Sequence, residues 1–173
     1  MDASAAYLAD LPAQIDRAKQ LADRAVAQLT TDEFFRVLDG ESNSVAIIMQ
    51  HVAGNLRSRF TDFLTSDGEK PDRHRDGEFE MPAGRTRESV QADWDNGFRL
   101  FSAAVTALEP GDLLRDVSIR GDRFSVVEAL QRAITHVSYH VGQIVFLAKH
   151  LHSNNWHTLT IPRGQSDTFK PPR

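Results

Sequence analysis

Two histidines four residues apart, His136 and His140, are the first feature of this sequence able to do chemistry. On a helix that spacing sets both side chains one turn apart on one face. Two imidazoles so placed can converge on a single ion at roughly 2.0–2.1 Å. His140 falls on the apolar stripe of its segment, and His136 lies beside Ala133 and Val137. Burying an imidazole without a partner costs about 1–3 kcal/mol, so something must satisfy each ring. A hydrogen-bonded core histidine and a metal ligand both meet that demand. His51, at the apolar edge of a different segment, offers a third donor. Three protein donors with one open position is the usual plan of a catalytic zinc. On spacing alone the core and ligand readings are evenly matched.

Other chemistry fits less well. A zincin needs Glu directly after the first His of its H-E-x-x-H motif, and Val137 stands there. There is no G-x-S-x-G elbow, no G-x-x-x-x-G-K loop and no G-x-G-x-x-G turn. A di-iron bundle uses Glu-x-x-His pairs, and Glu128 is not three residues before a histidine. The chain has no cysteine, which excludes disulfides and thiolate ligands and leaves imidazoles as the natural donors. The remaining four histidines are weaker candidates. His74 sits in a charged loop, and His150, His152 and His157 lie at or beyond a helix end.

The elements that must position these residues read as helices. Leu8, Leu11, Ile15, Ala18, Ala22, Ala25 and Leu29 keep helical phase from about Ser4 to Leu29, with Pro12 as a kink or early first turn. Thr31-Asp32-Glu33 caps a short turn before Gly40. A second helix starts at the N-cap Ser44 and is expected to reach about Ser66, with His51 in line with Ile47 and Asn55. A charged loop from Asp67 to Gly84 follows, longer than the roughly 2–8 residues of ordinary bundle connections. Such a loop is either solvated or functional; solvation is the stronger reading for Arg75, Asp76 and Glu78, although contact with substrate or a role as base is open to them. A third helix spans about Thr86 to Leu108, with Trp94, Phe98 and Phe101 as core or pocket wall, and Pro110-Gly111 stops it. Val117 to Phe124 alternates around a Gly-Asp turn as a short hairpin. Ser125 and Glu128 form a capping box that opens the last helix, which runs along Val126, Leu130, Ala133, Val137, His140, Ile144, Leu147 and Leu151. Gly142 on it reads as a close-packing position. In the tail from Ser153 to Arg173, Trp156, Leu159 and Ile161 are candidate anchors.

These elements predict an all-α chain: one domain over residues 1–173, a four-helix bundle core at about 4–152 with a hairpin-like segment before the last helix. Of its residues, 40% are hydrophobic and 25% charged, which suits a globular chain rather than a disordered one. A net charge of -4 gives no general pull toward nucleic acid or anionic lipid. No run of about 18 apolar residues and no basic-then-apolar start is present, so neither a membrane span nor a secretion signal is expected, and the expected location is cytoplasmic.

At Met49-Gln50-His51-Val52-Ala53-Gly54-Asn55-Leu56 and at His136-Val137-Ser138-Tyr139-His140-Val141-Gly142-Gln143-Ile144 the chain resembles the DinB-like superfamily, which includes YfiT-type proteins. The second segment is the more specific. The resemblance covers nearly the whole chain to about Leu151. It implies a four-helix bundle, a divalent metal (zinc or nickel) on His51, His136 and His140, and a homodimer. It also implies a low-molecular-weight thiol and a small electrophile as substrates, in a thiol-dependent S-transferase, or else hydrolysis. The alternative is a metal-binding bundle that is not catalytic and serves a stress-related or interaction role. Asn55, one turn beyond His51, and Gln143, three residues beyond His140, are the candidates for orienting the rings.

Overall fold

Each long helix begins at a side chain that satisfies backbone donors the helix leaves free. Asp2 accepts from the Ala5 amide at 2.7 Å, Ser44 from Ile47 at 3.2 Å and Thr86 from Ser89 at 3.2 Å. The Ser125–Glu128 capping box forms as expected, with the Glu128 carboxylate accepting from the Ser125 amide at 2.7 Å. The resulting helices are α1 (Ala3–Val26), α2 (Thr31–Phe35), α3 (Val45–Phe60), α4 (Arg87–Thr106) and α5 (Val126–His152). A two-stranded antiparallel sheet, β1 (Asp116–Ile119) and β2 (Asp122–Ser125), precedes α5. These elements belong to a computed structural model that describes residues 2–168; the end of the tail expected to reach Arg173 lies outside the described residues.

The architecture is mostly helical and compatible with the expected all-α bundle. α3 packs along α4 and α1 along α5, while α1 also meets α4 and α3 meets α5. Trp94, Phe34, Phe101, Met49, Leu56, Leu130 and Ile144 are fully buried between them. Trp94, Phe98 and Phe101 are thus core, and the Trp94 indole N–H donates to Asp23 at 2.9 Å. Gly97 lets α3 and α4 close up: a Cβ there would stand 3.1 Å from the Ala53 Cα and carbonyl oxygen. No helix among the described residues is long and apolar enough to cross a membrane.

Several boundaries differ from the sequence reading. The Thr31 turn is a fifth, short helix, because Thr30 and Glu33 make a capping box of their own. α1 runs unbroken with Pro12 well inside it, not in its first turn. α3 ends at Phe60 rather than near Ser66: Asp62 takes a positive φ of 49°, and its carbonyl accepts from the Thr65 and Ser66 amides at 3.0 Å. The hairpin turn is centred on Arg120-Gly121, both with positive φ (59° and 79°), the turn type whose twist matches paired strands. Asp67, at the start of the long loop, accepts from the Arg120 and Gly121 amides, each at 2.9 Å, and so ties loop to hairpin. In the tail, Trp156 and Leu159 pack on the core, whereas Ile161 is exposed.

Candidate metal centre

α3 and α5 are packed neighbours, and they bring the three predicted histidines together. One ring nitrogen of each of His51, His136 and His140 lies within 4.8 Å of the others. The Nε2 atoms of His51 and His136 are 3.1 Å apart. His51 is buried at 6% exposure, and the α5 pair is half-buried. The buried stripe of α5 runs through Val137, Val141, Ile144 and Ala148, so His140 flanks that stripe rather than lying on it. The other four histidines stay apart from the cluster: the ring of His152 meets Glu33 at 3.2 Å, His150 and His157 are exposed, and His74 lines a separate cavity.

The tautomers follow from the partners. His51 Nδ1 stands 2.9 Å from the Glu78 carboxylate, which can only accept when ionised; the ring N–H points there and Nε2 faces His136. His140 Nδ1 donates in the same way to the Gln143 amide oxygen at 2.8 Å, freeing its Nε2. His136 Nδ1 is buried without a partner. A hydrogen bond from His136 Nε2 to His51 would pair those two rings and leave His140 Nε2 to solvent. A cation would take one nitrogen from each of the three rings. Two nitrogens 3.1 Å apart that each bind an ion at roughly 2.0–2.1 Å subtend about 98° at it, between octahedral and tetrahedral angles. The donor set thus fits a divalent transition metal. The α5 rings are also in the neutral form a ligand needs. Burial lowers His136 to about 3, with the charges of His140, His51 and two arginines adding to it. Burial likewise lowers His140 to about 4, against the opposing bond to Gln143.

Glu78 is the residue the sequence reading placed in solvent, and the structure corrects this. It is 9% exposed. Arg73, its side chain 3% exposed, grips it from Nε to Oε1 at 2.8 Å and from Nη2 to Oε2 at 2.9 Å. Burial raises the Glu78 pKa, but the bonds from His51 and Arg73 outweigh it and hold the carboxyl below its usual value. Arg73 also reaches Glu69, which binds Arg59 and Arg120 in turn. A polar chain therefore runs from the hairpin turn to the His51 ring. Gln50 fixes the loop by donating to the carbonyls of Glu78 at 3.0 Å and Glu80 at 2.8 Å. Phe79 places its ring 4.6 Å from that of His51, with Arg75 over its outer face at 5.0 Å. Asp76 is exposed, as expected, and pairs with Arg75 at 3.3 Å.

Two further expectations change. Asn55 makes no side-chain hydrogen bond to the three histidines; Glu78 holds His51 instead. Gly142 packs against nothing, since a Cβ there would meet no atom within 4 Å. Gly54 is the glycine the site requires. A Cβ there would stand 2.3 Å from Glu78 Oε1 and 2.7 Å from its carboxyl carbon. Its position one turn past His51, inside a helix where glycine costs about 1 kcal/mol, was the available signal that another group comes close there.

The family model described as "Protein of unknown function (DUF1572)" matches residues 2–165. No curated protein and no solved structure matches the chain at a significant level.

Proposed function

The chain belongs to the DUF1572 family of proteins of unknown function, and within it we propose a DinB-like four-helix bundle whose His51, His136 and His140 hold a zinc or nickel ion for thiol-dependent group transfer. The observation that carries this reading is the convergence of three imidazoles with two of their tautomers fixed by Glu78 and Gln143. When bound, such an ion lowers the pKa of a thiol or water at its open position.

The chain's own residues divide the remaining work. Glu78 and Arg73 keep the His51 ring in one orientation and one tautomer, and Gln143 does the same for His140. Phe79 and Tyr139 wall the cluster; the Tyr139 ring lies 4.3 Å from that of His140 and 5.2 Å from that of His136. Both Glu78 oxygens are engaged, so this carboxylate positions a ligand and does not collect a substrate proton. That favours transfer from a low-molecular-weight thiol to a small electrophile, which needs only ionisation of the thiol, over hydrolysis assisted by a general base. The homodimer implied by the DinB-like resemblance belongs to the same reading.

Metal analysis of untagged protein tests the site first. One ion per chain is expected, lost in His140→Ala. Substoichiometric metal that His140→Ala leaves unchanged would overturn it. Conjugation of electrophiles to bacillithiol, mycothiol or glutathione, abolished by His51→Ala, is the expected activity. Full metal occupancy with no turnover in that screen would instead favour a metal-binding protein without catalysis.

A further inference from the structure

On α5, Glu128, Arg132, His136 and His140 recur every four residues and so share one face. Glu128 and Arg132 have the spacing of a helical ion pair, yet the pair does not form. The Glu128 carboxylate turns back to the helix start, where Oε2 accepts from the Ser125 amide at 2.7 Å and the Ser125 hydroxyl at 2.6 Å. Arg132 lies instead over the Phe124 ring at 4.9 Å and makes no salt bridge to any described residue. The other arginines around the cluster are occupied: Arg73 by Glu78 and Glu69, Arg59 by Glu69, Arg75 by Asp76.

Arg132 also lines an open trough of about 570 Å³ whose other walls include Phe124, Thr135, His136, Tyr139 and Glu128, the last with its carboxylate bonded to Ser125. That volume suits a small molecule. The trough is lined by a metal-candidate histidine and, one helical turn away, by a guanidinium with unused donors. Four residues of helix separate the two by about 6 Å along the axis.

Resting on the metal-centre reading, we propose that this trough binds the substrate, and that the substrate is a small molecule bearing a carboxylate. Arg132 takes up the carboxylate about one helical turn from the group that meets the three histidines. Phe124 packs against the guanidinium, and Tyr139 walls the trough on the histidine side.

Cobalt(II)-loaded protein tests this without any assay of turnover. Mercaptohexanoate and mercaptohexanol are titrated separately, and the sulfur-to-cobalt absorption band reports binding. The carboxylate probe is expected to bind about tenfold more tightly, as a charge-assisted contact at a half-open site gives. Arg132→Gln should erase that preference. Arg75→Gln, which removes the same charge from the other side of the cluster, should keep it. Equal binding of the two probes, or a preference that survives Arg132→Gln, overturns the inference and leaves the metal centre standing. Failure to bind cobalt at all overturns the metal centre and the inference with it.

Discussion

The histidine on α3 and the pair on α5 are held in opposite ways. His51 is buried, and its Nδ1 is fixed by a carboxylate 27 residues away that is itself locked by a buried arginine. The α5 pair is half-buried. His140 relies on Gln143 three residues along the same helix, and His136 Nδ1 has no partner. One wall of the cluster is organised by tertiary contacts from a loop and a hairpin. The other is organised by the repeat of a single helix. The α3 wall therefore couples ligand geometry to folding, whereas the orienting partner on the α5 wall, Gln143, can be altered at the cost of metal affinity alone.

The largest expected effect breaks the α3 wall. In Glu78→Ala, Arg73 keeps only Glu69, at 3.2 Å, as a partner for its buried charge. Removing one member of a buried pair costs about 3–5 kcal/mol, and the surviving contact puts this case near 3 kcal/mol. Denaturant unfolding of the metal-free protein measures it. The double variant Arg73→Met/Glu78→Met should recover most of the stability, since no charge is then stranded, while leaving metal affinity low. A loss under about 1 kcal/mol in Glu78→Ala would erase the distinction between the two walls.

Gly54→Ala probes the same wall more gently. The added methyl displaces the Glu78 carboxylate without removing it, because the nearest atoms are the end of that side chain. Metal affinity should fall about 10- to 100-fold, the usual consequence of losing a ligand's orienting partner. The stability loss should be smaller than in Glu78→Ala, because the displaced carboxylate still neutralises Arg73. Unchanged affinity in a metal titration would mean that Glu78 does not orient His51.

The two walls also differ in how far the sequence disclosed them. His136, His140, Gln143 and the Ser125–Glu128 cap all act within one helix, where a fixed repeat turns spacing into geometry. The helical elements were legible for the same reason. The Glu78–His51 contact depends instead on a path of some eighteen loop residues that no periodicity describes. Its charge made it look solvated, and only the depth of Arg73 beneath it shows otherwise. The end of α3 was misplaced for a related reason: Phe63 and Leu64 continue the apolar pattern, but Asp62 adopts a left-handed backbone and turns the chain. Gly54 and Gly142 look alike in the sequence, and tertiary packing alone separates them.

Acid separates the walls by pH window. His136 and His140, lowered to about 3 and about 4 from an ordinary 6.5, stay neutral in the fold while the unfolded chain takes up protons. Their contribution to stability is full above about 6.5 and drains away as pH falls toward those folded values, with a limiting slope of about 1.4 kcal/mol per pH unit per histidine that partial exposure reduces. Glu78 is lowered from 4.5, so its contribution is present above that value and is lost only as pH falls below it. Melting of the metal-free protein should therefore weaken first between pH 6.5 and 4, with Glu78 adding its own loss below 4.5. A His136→Phe/His140→Leu variant should flatten the upper window, and Glu78→Gln should reduce the lower one. An upper window unchanged by the double substitution would show that the α5 pair is not what titrates there.

The smallest effect is expected on the α5 wall. Gln143 is exposed, and its amide oxygen accepts from His140 at 2.8 Å in contact with solvent. Water can take its place at the ring N–H, so Gln143→Ala should lose only the net worth of one ordinary hydrogen bond, about 0.5–1 kcal/mol. Metal affinity should fall roughly two- to fivefold, well short of the Gly54→Ala loss. Stability of the metal-free protein should stay within about 0.5 kcal/mol, because no buried group is stranded. If Gln143→Ala weakened the metal as much as Gly54→Ala, the α5 wall would be as rigidly organised as the α3 wall. Burial of the orienting partner would then not decide how strongly a ligand is held.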